Sequence, residues 1–394
     1  RVRSALQLQR AGMGTSDAED AQEIRPAAEG LRGLRLAVQL AQGLGARLGR
    51  GALLLGPLPE GRRKATGGKG SSMTASLSQD GCPATSDAVA RGAVWQAQRV
   101  SPSLRAGGPP VQTVADIVAE FRARPWMTVN PAELGPAARV PTMLTAEESL
   151  LYHWLGRRVA GDGAVVDLGA YAGGSAARLL SGIAAAGRGN VLHSYDRFRS
   201  SRAFWARYMP DEPLPDTDDA DLLPVVRRNL APWGDQAVLH VGDIGEKHWT
   251  AGPIEILSVD AAKGSGMADH IAAEFFPPLV PGRSILVQQD YLMAVQPWLC
   301  AQMVRLRDQF LPLAHVPKVG LVFLCVAPVT AEVLAAAQVD RLTDGKLMGR
   351  VREAASWHQD MVPKPVFKAM LEQIKAHPGV RLGWQMRQPA RKNR

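Results

Sequence analysis

Cysteine is scarce in this chain. Its 394 residues include three, Cys82, Cys300 and Cys325, too few for a disulfide framework or a cysteine-based zinc cluster. Aromatic residues make up only 6%. No stretch supplies the roughly 18 uncharged apolar residues that a membrane-spanning helix requires. A soluble, cytoplasmic protein without a membrane span is the expectation. Acidic residues are outnumbered, 37 against 46 basic, for a formal charge of +9. That excess sits at the two ends. Residues 1–110 carry 15 basic and 8 acidic groups, and residues 381–394 carry five basic and none acidic. Between them, 26 basic groups face 29 acidic ones. A nucleic-acid binder with a basic body is disfavoured, so no nucleic-acid partner is expected.

What is abundant at the start is glycine. Residues 1–110 hold 17 of the 39 glycines, with turn-like runs such as Gly67-Gly68-Lys69-Gly70 and Gly107-Gly108-Pro109-Pro110. Such a composition offers little apolar surface to offset backbone entropy, so a largely disordered leader is expected. Residues 31–55 form a short helical candidate, interrupted by Gly43, Gly45, Gly49 and Gly51. Early acids (Asp17, Glu19, Asp20, Glu23) weaken a transit-peptide reading. The chain opens on Arg1, the expectation for a fragment or for a translation whose start is Met13 or Met73.

From about residue 113 the pattern alternates between helical stretches and short apolar strands. Helices are expected at 114–121, 147–155, 175–185, 201–208, 268–276 and 298–310. Strands are expected at 164–169, 190–196, 236–243, 254–260, 283–290 and 320–326. The strands are short, β-branched and apolar on both faces, as buried parallel strands are. This βαβ succession predicts an α/β fold, a doubly wound, mostly parallel, Rossmann-like sheet with added helices. Residues 210–225, rich in Asp and Pro, are read as a solvated loop, with a lid as the functional alternative. Residues 331–394 are read as a helical extension that covers the sheet or supports homodimer contacts.

Acids end the strands: Asp167, Asp196, Asp243, Asp260 and Asp290. In an open α/β sheet the ligand crevice lies at that edge. A single such acid is commonly a turn or cap residue; five that follow the strand spacing point to a site. The sharpest feature is Val165-Val166-Asp167-Leu168-Gly169-Ala170-Tyr171-Ala172-Gly173-Gly174-Ser175, a strand, a glycine turn and a helix start. It is neither a Walker loop nor a Gly-x-Gly-x-x-Gly fingerprint. An acid before the first glycine repels a pyrophosphate and suits a ligand carrying an amine.

These residues resemble the first motif of class I S-adenosylmethionine-dependent methyltransferases, an apolar strand followed by Asp/Glu-x-Gly-x-x-x-Gly. The resemblance covers about residues 140–330. It implies that Asp167, Gly169 and Gly173 line the methionine part of S-adenosylmethionine. It implies that Asp196 holds the ribose hydroxyls and that Asp243, followed by Ile244, lies near the adenine. Asp260-Ala261-Ala262-Lys263 is similar to the Asp-x-x-Lys of metal-dependent O-methyltransferases, which implies Mg²⁺ at Asp260, Gln289 and Asp290 and a general base at Lys263. Oxygen ligands of this kind suit Mg²⁺. The acid pair that ends the fifth strand in those enzymes is broken here as Gln289-Asp290, and the aromatic residue after the lysine is absent. Related sugar-type enzymes use a histidine base, for which His270 is the candidate. Tyr291, Leu292 and Trp298 are candidates for an acceptor pocket or for core. Glu147 and Glu148 are candidates for a cofactor closure or for first-turn helix acids.

The implied reaction is methyl transfer to a small-molecule or saccharide acceptor, at oxygen. The alternative is an inactive binding or scaffold protein of a polysaccharide or cell-surface pathway, motivated by the broken acid pair. Asp167 before the first glycine speaks against a nicotinamide-dependent oxidoreductase. A nucleic-acid methyltransferase lacks its Asn/Asp-Pro-Pro-Tyr signature after the fourth strand.

Overall fold

The computed structural model describes residues 112–316 and 320–387. The leader expected over 1–110, its helical candidate and the alternative starts lie outside them. The first helix, α1 (Val114–Arg122), begins at a capping box in which Thr113 and Asp116 satisfy each other's amides. The next, α2 (Ala146–Arg158), uses Thr145 and Glu148 the same way. There follow β1 (Ala164–Leu168), α3 (Gly174–Ala185), β2 (Leu192–Asp196), β3 (Arg199–Ser200), α4 (Arg202–Tyr208), β4 (Ala220–Asp221) and α5 (Leu223–Leu230). The chain continues through β5 (Ala237–Val241), β6 (Ile254–Val259), α6 (Ser265–Phe275), β7 (Ile285–Gln288), α7 (Pro297–Met303), β8 (Phe310–Val316) and β9 (Gly320–Cys325). Four helices close it: α8 (Ala331–Ala337), α9 (Asp344–Trp357), α10 (Lys364–Ala376) and α11 (Gly383–Met386).

Seven strands form one sheet in the order β5-β2-β1-β6-β7-β9-β8. The first five are parallel, and β9 runs antiparallel to both β7 and β8. Side chains alternate across it. Val165, Ile256, Ile285 and Val322 point to a layer built with α1, α2 and α3. Val166, Leu257, Leu286 and Phe323 point to the other, built with α6, α7, α9 and α10. Helices on both faces make this the expected doubly wound, Rossmann-like sheet. Leu347, Val351, Phe367 and Met370 of the C-terminal helices share that second core with the strands.

Two expectations need correction. The helix expected over 298–310 ends at Met303, passes through a 3₁₀ turn, and gives way to β8 from Phe310. Leu299, Met303 and Leu306 do recur at helical spacing, but from Phe310 on the chain pairs with β9. Pro312 sits at a register shift in this strand at the edge of the sheet, where proline is tolerated. The loop expected over 210–225 ends early, because α5 starts at Leu223 with Pro224 in its first turn.

Several acids of that loop are tied within the chain. Asp219 takes the Arg199 guanidinium, Asp218 accepts the Arg202 amide at 2.9 Å, and Glu212 pairs with Arg228.

The helices α2 and α3 cross at two glycines. A Cβ on Gly182 would lie 1.9 Å from the His153 carbonyl oxygen, and one on Gly156 would lie 2.1 Å from that of Leu179. This close approach seats the start of α2 over the glycine turn.

Candidate functional site

The parallel ladder runs past the strand ends and assembles the site. The Gly169 amide donates to the Tyr195 carbonyl at 2.8 Å, Asp260 to Leu168 at 2.8 Å, and Gln289 to Val259 at 3.0 Å. Asp167, Asp196, Asp260 and Asp290 therefore gather along one edge. Gly169 has φ +98°, and a Cβ there would come within 2.9 Å of the Asp260 carbonyl. Only glycine allows the turn to lie so close to the next strand end. Beside it is a narrow cleft of about 30 Å³, lined by Pro141, Thr142, Tyr152, Tyr171, Ser175 and Asp260 among others.

Asp167, two residues before Gly169, is buried behind the turn, with 1% of its surface exposed. One oxygen accepts from Ser175 Oγ at 2.6 Å; the other, Oδ1, makes no hydrogen bond. Ser258 Oγ lies near but is engaged with Tyr152 Oη at 2.8 Å. Burial pushes the Asp167 pKa up to about 7, against the pull of the Ser175 and Ser258 hydroxyls, and the neighbouring Asp260 and Asp196 carboxylates add to the rise. A buried carboxylate oxygen without a donor is costly unless a cation or donor meets it.

Asp196 accepts the Tyr171 amide at 3.0 Å and the Phe198 amide at 2.7 Å. Burial raises its pKa although both amides pull it down. Each oxygen keeps a lone pair for a ligand hydroxyl. Tyr171 holds the left-handed conformation (φ 49°), and its hydroxyl lies 3.1 Å from Ser200 Oγ. Gly173 is the N-cap of α3 and no side chain caps that end, so its first amides point toward the turn. Asp243 lies two residues past β5, is exposed, and caps a short turn by accepting the Gly245 amide at 2.9 Å.

On the other side of Asp260 lies an ion triplet. Lys263 Nζ donates to Asp260 Oδ1 at 2.5 Å and to Asp290 Oδ2. Asp290 Oδ2 also accepts Gln296 Nε2 at 2.6 Å. Burial works to lower the Lys263 pKa, but Asp260 and Asp290 outweigh it and push it up. Lys263 is thus held as an ammonium, and the general-base role the resemblance implies for it does not fit. Asp260 is raised to about 6, chiefly by burial, with Lys263 opposing and Asp290 adding.

The implied metal set does not converge. Gln289 gives its amide to Glu148 Oε1 at 2.6 Å and takes Tyr152 Oη at 3.1 Å, so both ends of its side chain are spent away from Asp260 and Asp290. Lys263 already stands between the two carboxylates. Among the described residues no group of three His, Cys, Asp or Glu side chains is arranged to hold a metal ion. The residues as placed do not fit Mg²⁺.

His270, the other candidate base, lies on α6 with Nε2 at 3.1 Å from the Lys247 carbonyl and its ring against His248. Among the described residues no hydrogen bond or ring contact joins it to the triplet. Tyr291 is fully buried, bonded to His358 Nε2 at 2.8 Å, and belongs to the core. Trp298 is buried too; its indole holds the Ala262 carbonyl at 2.9 Å and so steadies the Lys263 loop. Glu148 is the capping acid of α2, and Glu147 takes Trp126 Nε1 at 3.0 Å together with Arg124. The helix-acid reading of both is the one observed.

Sequence reasoning missed Tyr152, Ser258 and Gln296. Tyr152 lies in an amphipathic helix 106 positions before Ser258, and only the packing of α2 on the sheet joins them. Ser175 carried a signal, since a hydroxyl just inside a glycine turn can reach back to the acid that precedes it.

No protein-family model and no curated protein matches the chain. Solved structures similar to it include the O-methyltransferase NovP, at 15% identity and a TM-score of 0.38, over 54% of this chain and 95% of that one. The SAH-bound methyltransferase PaMTH1 of Podospora anserina is similar at 14% identity and a TM-score of 0.28, over 63% and 81%. MNMC2 from Aquifex aeolicus is similar at 10% identity and a TM-score of 0.29, over 57% and 76%. At such distances the functional reading has to rest on the geometry of the site. No described helix is long and apolar enough to cross a membrane.

Proposed function

We propose that the protein binds S-adenosylmethionine at the glycine turn and transfers its methyl group to a hydroxyl of a small-molecule or saccharide acceptor. The observation that carries this reading is Asp167 Oδ1, a buried carboxylate oxygen without a hydrogen-bond partner two residues before Gly169. A ligand amine supplies the missing donor. The uncapped start of α3 suits the ligand carboxylate, and Asp196 suits vicinal ribose hydroxyls. The bound group brings a methyl on a sulfonium, which needs only an aligned nucleophile and the exclusion of water.

The chain's own residues then divide the work. Asp260, raised to about 6, is suited to take the acceptor proton at neutral pH, because a base poised near the working pH is the most effective. The Lys263 ammonium keeps Asp260 and Asp290 in place. Thr142 and Met143 lie at the cleft and cover the turn.

Calorimetric titration of the full chain with S-adenosylhomocysteine tests the reading. Saturable binding is expected, with Asp196→Ala weakening it about tenfold or more, the loss of one or two hydrogen bonds to a charged acceptor. An absence of binding to the native chain would reject the proposal and favour the scaffold alternative.

A further inference from the structure

We infer that the insertion between β2 and α5 carries an aromatic rim, Tyr208 and Phe204, that recognises the acceptor by the flat face of an uncharged ring. The inference rests on the methyl-transfer reading and names the acceptor class for it.

The rim is part of a row of three rings. Tyr171, which lines the cleft, meets Tyr208 edge-on, with 6.4 Å between centroids and 80° between planes. Tyr208 in turn meets Phe204 at 5.6 Å. Phe204 is 47% exposed. It lies four residues before Tyr208 on α4, so the two share one face of that helix. Trp205 and Met209 anchor the helix, buried in the core with Phe198 and Leu222. The row therefore runs from the cleft to the surface, and its continuity with the cleft points to the acceptor as the occupant.

The exposed ring is held by polar groups around it, not by its own burial. Arg199 grips Asp219 with two nitrogens, at 3.1 and 2.9 Å, where β3 pairs with β4. The Arg202 amide donates to Asp218 at 2.9 Å, and its guanidinium donates to the Pro215 carbonyl. Arg228 of α5 pairs with Glu212. The insertion is thus fastened at its base and along its length. An aromatic side chain presented on an ordered segment loses little entropy when a ligand meets it, and it offers a large contact area.

Charge narrows the class further. Residues 199–222 carry six acids against three arginines, and one of those arginines, Arg207, lies over the Tyr208 ring at 5.2 Å. The acidic excess repels a phosphorylated or carboxylated acceptor and leaves a neutral ring unaffected. A phenol and a hexose both offer a flat, uncharged face of this kind.

The full chain, saturated with S-adenosylhomocysteine, is titrated with phenyl β-D-glucopyranoside, an uncharged probe that carries both rings. Saturation transfer from protein to probe is read by nuclear magnetic resonance. Saturable binding is expected, and the probe protons that take up saturation tell whether the phenyl or the glucosyl ring meets the rim. Phe204→Ala is expected to raise the probe Kd about threefold or more, the worth of one aromatic contact, with the melting temperature and the affinity for S-adenosylhomocysteine unchanged. Phe204→Leu keeps an apolar side chain without the flat face and is expected to behave alike. Phenyl phosphate is expected to bind more weakly than the neutral probe.

No saturable transfer to either ring of the probe would overturn the inference. So would a Phe204→Ala chain that keeps the native Kd, or phenyl phosphate that binds as tightly as the glucoside. Equal losses of probe and S-adenosylhomocysteine affinity in Phe204→Ala would assign the rim to the cofactor and overturn it too. Failure of the native chain to bind S-adenosylhomocysteine is a separate result. It would sink the methyl-transfer reading, while the same titration without it still reads ring binding at Phe204.

Discussion

Asp167 shows how one buried acid can count against the fold. Its pKa rises from 3.8 to about 7 because burial penalises the charge. For a carboxyl group raised in the folded state, the stability it contributes is complete below the unfolded value. That stability is lost as pH rises through the folded value, because the unfolded chain then binds fewer protons. The ligand-free protein is therefore expected to lose stability between about pH 4 and pH 7 on account of this group. Asp167→Asn removes that loss, so it should melt higher than the native chain at pH 8 and show no such gain at pH 4. The same variant should lose affinity for S-adenosylhomocysteine. Native affinity itself should weaken as pH falls through 7, by up to about tenfold per unit. Thermal denaturation and calorimetry at pH 4, 6 and 8 check both. A variant that melts lower at pH 8 and still binds would contradict this account of Asp167. In the sequence, Asp167, Gly169, Gly173 and Asp196 were legible because each follows a strand end or a turn. The state of Lys263 was not. Its pKa is pushed up by Asp260, three positions away, and by Asp290, 27 positions away, and spacing does not report the second contact.

At the scale of elements, the crossing of α2 and α3 matters most to the site. With backbone facing backbone at Gly156 and Gly182, neither helix can yield by rotating a side chain. Gly182→Ala is expected to cost about 3 kcal/mol, the upper range for forcing a methyl into a filled space, despite alanine's better helix propensity. Urea denaturation measures it; a neutral or stabilising result would mean that the helices separate freely. Because α2 carries Tyr152 and α3 carries Ser175, the variant should also weaken ligand binding. The central strands could be read directly, since strands buried on both faces leave unbroken β-branched runs. At the margins the pattern fails. β8 sits at the sheet edge with Pro312 at a register shift, and α5 is hidden behind a polar insertion. Their states are set by what they pack against.

Across the whole molecule, the last helices belong to the same core as the strands, and the segment around Leu382 is stitched to the Lys263 loop. A chain ending at Val380 is expected to lose protection of the Ser265 amide in hydrogen exchange. The amides of Val166 and Leu257, in the centre of the sheet, should stay protected. The truncated chain should also melt lower, because Met386, 1% exposed, leaves the core. Equal protection at Ser265 in both chains would show that the segment does not hold the loop. The +9 charge has little bearing on the site. Its excess lies in the end segments, while the stretch that carries the site is slightly acidic.

The sequence alone determined the doubly wound sheet, the edge at which its strand-end acids gather and the glycine turn beside them. These are local properties: periodicity, strand-end acids and a backbone turn that only glycine permits. Tertiary structure decided the chemistry of that edge. It left Asp167 Oδ1 without a donor, moved Gln289 onto Tyr152 and Glu148, and brought Lys263 between Asp260 and Asp290. Protonation and partner choice depend on burial and on contacts between residues far apart in the chain, and no local pattern encodes those.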